Sequence, residues 1–185
     1  MKEVVAWGKS ILIAVAIVFL IRNFVFVPII VDGASMMPTL ESEERMIVNK
    51  LGDVERFDIV VFHVTKNKDY IKRVIGLPGD HIEYKDDTLY INGRAYEEPY
   101  LDEYKKGLLG QPLTEDFKLE EYTGERVVPK GQLFVMGDNR RNSLDSRSPM
   151  LSTVPYDQVV GKAELAYWPL DKVNIMNEKD GARAH

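Results

Sequence analysis

The sequence predicts a mostly β protein, an antiparallel and partly rolled or barrel-like domain that follows one N-terminal transmembrane helix. Three observations lead to this prediction. The segment Val4 to Ile21 is almost wholly apolar. Many short runs rich in β-branched and aromatic residues come after it. Turn-forming dipeptides separate these runs, and little helical periodicity is present, which is the pattern of an antiparallel sheet.

The apolar segment Val4 to Ile21 is predicted to be a retained membrane anchor. As a helix it would be about 27 Å long, close to the hydrocarbon thickness of a bilayer. Trp7 suits the headgroup interface, and Lys9 can extend toward the cytoplasm. A cleaved signal peptide is less favoured because no small-x-small site follows the segment. A buried core helix is less favoured because the segment has no polar face of useful width.

Charge distribution predicts the orientation of the chain in the membrane. The first residues are slightly basic, whereas the whole chain of 185 residues has a formal charge of −5. This asymmetry favours a cytoplasmic N-terminus and an extracytoplasmic body, which makes a single-pass protein of the cell membrane. The predicted parts are the cytoplasmic end and anchor at 1–23, an extracytoplasmic catalytic β-domain at 24–176 and a polar tail at 177–185.

The strands are predicted from apolar, β-branched-rich runs. The run Phe24 to Val31 is broken by Pro28, so it is predicted as a β-segment at the membrane surface. Asp86-Asp87 and Asn92-Gly93 are predicted hairpin turns, the second of type I′. The acidic, turn-rich stretch 97–128 is predicted to be a surface excursion. The other predicted strands are Met46 to Asn49, Phe57 to Val64, Tyr70 to Ile75, His81 to Tyr84, Thr88 to Ile91, Arg94 to Tyr96, Gln132 to Met136 and Val159 to Trp168.

Composition excludes several kinds of chemistry. The chain has no cysteine, which rules out disulfides, thiolate catalysis and cysteine-based zinc sites. Its three histidines, His63, His81 and His185, are too scattered to predict a metal centre, so no metal and no cofactor are expected. The acidic balance argues against a nucleic-acid partner.

Ser35 and Lys72 are the candidate nucleophile and general base. A serine hydroxyl needs a base within hydrogen-bond reach to react at neutral pH. Lys72 lies within the predicted strand Tyr70 to Ile75, where alternation gives it apolar flanks and points Arg73 to the other face. Such surroundings lower a lysine pKa. Taken alone, the local sequence favours a turn residue for Ser35 and an ordinary strand lysine for Lys72.

A third segment, 137–147 with the sequence GDNRRNSLDSR, favours the catalytic interpretation of Ser35 and Lys72 over the structural one. It could be a salt-bridged turn held by Asp145 and Arg147, and Ser143 could orient the lysine. Two other catalytic schemes are weaker. Pro38 stands where an SxxK acylase needs its lysine. A Ser-His-Asp triad would have to recruit His63 or His81.

Three segments, in this order, resemble the bacterial type I signal peptidases: GASMMPTL at 33–40, YIKRVIGLPGD at 70–80 and GDNRRNSLDSR at 137–147. The resemblance implies that Ser35 is the nucleophile, Lys72 the base and Ser143 a group that orients Lys72. Gly33 stands where some members have a serine of the oxyanion hole. Further residues that the resemblance places at the site, lining or supporting it, are Met36, Arg73, Asp138, Asn139, Asp145 and Arg147.

The resemblance implies a membrane-bound serine endopeptidase of the compact Gram-positive form. Such an enzyme removes signal peptides from exported preproteins after an Ala-x-Ala-type site, through an acyl-enzyme. Its expected partners are secretory preproteins and the lipid bilayer. Two alternatives remain: a self-cleaving Ser/Lys protease of the repressor-processing kind, and a membrane-anchored β-domain that only binds peptide or protein. The C-terminal Ala182 to His185 also contains an Ala-x-Ala sequence, for which chance is the favoured explanation.

Overall fold

The computed structural model of the protein describes residues 2–176 and the backbone of 183–184. The rest of the predicted tail at 177–185 lies outside the described residues. The helices are α1 (Lys2–Phe24), α2 (Asp102–Lys106) and α3 (Leu119–Thr123). The strands are β1 (Phe26–Ile30), β2 (Arg45–Asn49), β3 (Ile59–Thr65), β4 (Lys68–Gly76), β5 (Ile82–Lys85), β6 (Thr88–Ile91), β7 (Arg94–Glu97), β8 (Phe117–Lys118), β9 (Gln132–Met136), β10 (Val154–Pro155), β11 (Val159–Trp168), β12 (Asn174–Ile175) and β13 (Arg183–Ala184).

The strands form two antiparallel sheets. The large sheet has the order β1-β2-β11-β3-β4-β9-β10, and β12 pairs with β11. The small sheet has the order β13-β7-β6-β5-β8. The predicted antiparallel class is therefore confirmed. Neither sheet closes on itself among the described strands, which corrects the barrel-like part of the prediction. Strand β1 is an edge, and Pro28 at its centre removes a donor that a further strand would need.

The predicted hairpins of the small sheet are present. Strand β5 pairs with β6 through Asp86-Asp87, and β6 pairs with β7 through Asn92-Gly93. The φ angles are 51° and 58° in the first turn and 53° and 78° in the second. A type I′ turn requires positive φ at both central residues, and Asn and Gly tolerate it best.

Helix α1 leads directly into β1, and its described apolar side chains are exposed, from Trp7 through Ile21. In the part of the chain that the structure describes, no helix meets the length and hydropathy needed to cross a bilayer. The transmembrane anchor therefore stays a prediction. The β-segment after it is confirmed as β1, although its place at a membrane surface is not tested.

The stretch 97–128 packs against the small sheet. Strand β8 pairs with β5, and the side chains of Leu101, Leu113 and Leu119 are at most 2% exposed. Phe117 stacks on the ring of Tyr84 with a centroid distance of 5.1 Å. The stretch thus supplies core residues to the small sheet beneath its acidic surface.

One strand, one turn and one loop of the large sheet meet at one place. The inner strand β4 carries Lys72 and Arg73, and it pairs with β3 on one side and β9 on the other. The turn between β1 and β2 carries Ser35. The loop 137–147 leaves the end of β9, where Met136 pairs with Arg73. The pairing of β4 with β9 brings Lys72 next to the loop 137–147, and the turn that carries Ser35 joins them through hydrogen bonds to Lys72 and Asn139.

Candidate active site

Ser35 and Lys72 are in direct contact. The Nζ atom of Lys72 lies 2.7 Å from Ser35 Oγ, although 37 residues separate the two in sequence. Lys72 Nζ also donates to the carbonyl oxygen of Ile71 at 2.8 Å. These two oxygens fix the end of the lysine beside the hydroxyl. A nucleophile and a base within hydrogen-bond reach are the minimum that nucleophilic catalysis requires.

Lys72 is buried, and only 3% of its surface is exposed. Burial disfavours the ammonium form and lowers the pKa of Lys72 from 10.5 to about 8, although the charges of Asp145 and Asp138 oppose this shift. The ring of Tyr70, two residues earlier on the same strand, lies 5.2 Å from Nζ and supplies part of the covering. A substantial fraction of Lys72 is therefore neutral near pH 8 and able to accept a proton.

Gly137 separates two serines at the site. A Cβ atom added to Gly137 would lie 2.5 Å from the carbonyl oxygen of Ser35, and it would overlap the side chain of Ser143. The Gly137 N–H donates to Asp145 Oδ2 at 2.9 Å, and its carbonyl accepts from Arg140 Nε at 3.1 Å. Only glycine fits here, because the serine-bearing turn and the loop 137–147 touch through this residue.

A buried ion pair supports the strand that carries Lys72. Arg73 donates through Nε and Nη2 to the two oxygens of Asp138, at 2.9 and 2.6 Å. Thr39, four residues after Ser35, donates to the same carboxylate at 2.5 Å. Asp138 is fully buried. The Asp138 carboxylate thus connects the serine-bearing turn to Arg73, the neighbour of Lys72. Because Arg73 binds it through two nitrogens, the geometry of this connection is well defined.

Asn139 and Asp145 also stabilise the loop 137–147, the first through the serine-bearing turn and the second through Arg147. Asn139 donates its N–H to Ser35 O at 3.0 Å and its amide group to Ala34 O at 3.0 Å. Asp145 accepts from Arg147 through Nε and Nη2 at 2.9 and 2.7 Å. Although burial alone would raise it, the bonds and charge of Arg147 hold the Asp145 pKa below its usual value. Asp145 is therefore an anion that fixes Gly137.

Ser143 lies beside the site without the expected hydrogen bond. Its Oγ is buried and has no hydrogen-bond partner among the described residues. The atom sits next to the position of a Gly137 Cβ. Lys72 donates instead to Ser35 and Ile71. A bond from Ser143 to Lys72 thus remains a prediction, and a role in catalysis is one established explanation for a buried hydroxyl without a partner.

Gly33 and Met36 border the serine on its two sides. Gly33 is exposed with a φ of 92°, and its N–H donates to Ser42 Oγ at 3.3 Å. Met36 is 1% exposed and packs in a cluster with Val31 and the partly buried Ile71. An apolar floor therefore lies beneath the serine-bearing turn.

The histidines that a triad would need lie elsewhere. His63 is more than half exposed and contacts Asp69 at 2.6 Å. His81, just before β5 of the small sheet, lies 3.6 Å from Glu120 of α3. The hydrogen-bond partner that the structure gives Ser35 Oγ is Lys72. The geometry therefore favours the lysine over either histidine as the base.

Six polar residues at or behind the site were not singled out from the sequence. The hydroxyl of Thr39 could have been suspected from its place in the first segment. Arg140 belongs to the third segment, but nothing in the sequence indicates its partners. The partners lie in the hairpin region and the stretch after it, and they are Tyr84, Glu98, Tyr100 and Thr114.

Comparisons with known proteins agree on one family. A family model described as signal peptidase, peptidase S26, matches residues 4–168. The chain is 55% identical over 161 residues to signal peptidase I of Bacillus caldolyticus, which covers 85% of this chain and 87% of that protein. It is 42% identical over 179 residues to signal peptidase IB of Staphylococcus aureus, which covers 92% and 93% of the two chains.

A solved structure resembles the fold as well. The crystal structure of a signal peptidase I from Enterococcus faecalis superposes with a TM-score of 0.57 at 43% sequence identity. The match covers 60% of this chain and 97% of that chain. Three independent comparisons thus point to the same kind of protein as the three segments.

Proposed function

Because this chain belongs to the bacterial type I signal peptidases, the S26 family of serine peptidases, we propose that it cleaves signal peptides from exported preproteins with a Ser35–Lys72 dyad. One observation carries the assignment of the dyad: the buried Lys72 Nζ lies 2.7 Å from Ser35 Oγ. Ser35 attacks the scissile carbonyl and gives its proton to neutral Lys72. The proton then passes to the leaving amine, an acyl-enzyme forms, and water hydrolyses it with Lys72 again as base.

The oxyanion that forms during attack needs donors, and the side chain at position 33 offers none. The Gly33 N–H is already engaged by Ser42 Oγ. We assign the backbone N–H of Ser35 as the main donor to the oxyanion, because a backbone amide needs no side chain to be preorganised. The side-chain amide of Asn139 donates to Ala34 O, the carbonyl of the same peptide unit, and holds that unit in place.

The substrate is proposed to bind extended beside residues 31–35, in the manner of an added strand. The apolar floor beneath this segment is formed by Val31, Met36 and Ile71. Shallow apolar contacts of this kind suit small side chains, which supports an Ala-x-Ala preference at positions −1 and −3. The chain is further proposed to act at a membrane surface, with its catalytic domain extracytoplasmic. The exposed apolar side chains of α1 and of Phe24, Phe26 and Ile30 support that placement.

The proposed function is tested by cleavage of a preprotein with an Ala-x-Ala site by the full-length protein in detergent. We expect cleavage after the second alanine, read by mass spectrometry, and a rate at least about 10-fold lower when leucine replaces alanine at −1. A Ser35→Ala preparation made in parallel reports any contaminating host peptidase. Equal rates with alanine and leucine at −1 would contradict the pocket, and no cleavage above that background would contradict the function.

Activity is expected to rise with pH through the titration of Lys72. The base must be neutral in the free enzyme, and burial lowers the pKa of Lys72 to about 8. The logarithm of kcat/KM should therefore climb with a slope of about one below pH 8 and level off above it. The measurement is kcat/KM on a short peptide from pH 6 to 10. A flat profile over this range would contradict a lysine base.

A further inference from the structure

The loop 137–147 is held from behind by a buried charged cluster that the catalytic scheme does not use. The Glu98–Arg140 cluster is defined by these two residues together with Tyr84, Tyr100 and Thr114. The side chains of Glu98 and Arg140 are 1% and 0% exposed, and their ion pair measures 2.5 Å. Buried charges of this kind are costly unless paired and fully hydrogen-bonded. Its place directly behind the catalytic loop suggests a role in positioning.

The cluster satisfies both terminal nitrogens of the Arg140 guanidinium. One terminal nitrogen donates to Tyr84 OH and to Thr114 Oγ1, and the other donates to Glu98 and to Tyr100 OH. Both tyrosine hydroxyls donate in turn to the Glu98 carboxylate, at 2.9 and 2.6 Å. Burial raises the pKa of both tyrosines, so they stay neutral donors. Glu98 is therefore the one anion around which the cluster is organised.

The remaining nitrogen of Arg140 reaches the active site. Its Nε donates to the carbonyl oxygen of Gly137 at 3.1 Å. The other side of the same residue, the Gly137 N–H, donates to Asp145. Gly137 is thus clamped between two charged side chains at the point where it touches Ser35 O and Ser143. The hydrogen bond to Gly137 O depends on the position of Arg140, and the ion pair with Glu98 holds Arg140 in that position.

A second route leads from the cluster to the strand that carries the base. The ring of Tyr100 lies 3.9 Å from the guanidinium carbon of Arg73, a stacked cation–π contact. Arg73 follows Lys72 in sequence and binds Asp138. The Tyr100 hydroxyl is held by Glu98. Gly137 and Arg73 are the neighbours of the reacting groups. Arg140 contacts the first and Tyr100 contacts the second, and both Arg140 and Tyr100 bind the carboxylate of Glu98.

From these contacts we propose that Glu98 is a positioning residue for the reaction, acting through Arg140 on Gly137 and through Tyr100 on Arg73. This inference rests on the proposed function. It assigns a role in catalysis to a residue of the stretch 97–128, outside the three segments that carry the family resemblance. Glu98 touches neither Ser35 nor Lys72, so its effect is expected on kcat and not on substrate binding.

The test compares Glu98→Gln with Asp80→Asn in the full-length protein in detergent. Asp80 is a matched control, since its buried carboxylate also pairs with an arginine, Arg56, at 2.6 Å. Its other partners are Leu77 N and the Asn92 amide, outside the loop 137–147. Assays are run where both variants are folded. We expect Glu98→Gln to lower kcat about 10- to 100-fold with KM within about twofold of wild type, and Asp80→Asn to leave kcat unchanged.

Two further readouts separate positioning from general destabilisation. Hydrogen exchange of the amides at 137–147 should accelerate in Glu98→Gln but not in Asp80→Asn, whether or not the protein cleaves preproteins. Arg140→Gln should lower kcat as Glu98→Gln does, and the double variant should be no slower than the slower single variant, because the two act as one unit. Unchanged exchange, an unchanged kcat in Glu98→Gln, or additive losses would overturn the proposal. Absence of cleavage by wild type would instead refute the proposed function, and the catalytic meaning of Glu98 would fall with it.

Discussion

Lys72→Met is expected to lower the rate of signal-peptide cleavage by about 10²- to 10⁴-fold, the usual contribution of a general base. Methionine has nearly the same length and is apolar, so it can fill the space beneath Ser35 without a charge. The hydroxyl of Ser35 would remain in place but lose the acceptor for its proton. The measurement is single-turnover cleavage of a peptide substrate at pH 9, where wild-type Lys72 is mostly neutral because its pKa is about 8.

The same substitution is expected to increase stability at pH 7. The folded-state pKa of Lys72 is lowered from 10.5 to about 8, so the unfolded chain holds this proton more tightly. The resulting cost, about 3 kcal/mol, is fully present below pH 8 and disappears as the pH rises through 10.5. Lys72→Met should therefore raise the free energy of unfolding at pH 7 by up to about 3 kcal/mol, with the gain shrinking above pH 8.

Lys68→Met is the matched control for both effects. Lys68 lies on the same strand and its Nζ is 5.1 Å from the ring of Tyr70, nearly the distance of Lys72 Nζ, but it is exposed. Activity and stability of Lys68→Met should remain close to those of wild type. A Lys72→Met protein that cleaves within about tenfold of wild type would remove Lys72 from the catalytic role.

Gly137→Ala is the second substitution with a large expected effect. The added methyl group would lie 2.5 Å from Ser35 O, a backbone atom that cannot rotate away, and would overlap Ser143. The loop 137–147 or the serine-bearing turn must then shift. A displacement of about 1 Å at a reacting group can cost about 100-fold in rate, and overpacking costs about 1–3 kcal/mol in stability. We expect both losses, measured as kcat and as the free energy of unfolding in urea.

Gly107→Ala provides the comparison for a methyl group added elsewhere. The Cβ at Gly107 would meet only Tyr104 O at 3.5 Å, an ordinary contact, and the φ of −77° suits alanine. Gly107→Ala should leave the free energy of unfolding unchanged or raise it slightly, because alanine lowers the conformational entropy of the unfolded chain. Wild-type activity in Gly137→Ala would show that the contact between the loop and the Ser35 turn is not required for the reaction.

The strands and hairpin turns were predictable because their signals are local, whereas the three site segments were recognised by their combined resemblance to a known family. Alternation in Tyr70 to Ile75 placed Lys72 and Arg73 on opposite faces, and the structure sends them to Ser35 and Asp138 respectively. Asn92-Gly93 identified its hairpin from two residues. In each case a residue type and its immediate neighbours restrict the backbone, so no knowledge of distant contacts is needed.

The Glu98–Arg140 cluster was not predictable from the same kind of signal. Arg140 meets Glu98 across 42 residues and Tyr84 across 56. The stretch 97–128 has little periodicity, and its buried leucines are spaced irregularly, so its acidic surface suggested an excursion. The partner of a buried charge depends on how separate elements pack. Ser143 illustrates the same limit, because its expected bond to Lys72 depends on a side-chain orientation that the sequence does not determine.

The lowered pKa of Lys72 has a consequence for the covalent chemistry of the protein. A neutral amine is itself a nucleophile, and a lysine with the ordinary pKa of about 10.4 is almost entirely protonated at pH 8. About half of Lys72 is unprotonated at that pH. An aldehyde small enough to pass Ser35 would therefore form an imine at Lys72 in preference to lysines of ordinary pKa, and reduction with borohydride would make that label permanent. The residue that activates the serine is thus also a place where a small electrophile could block the enzyme.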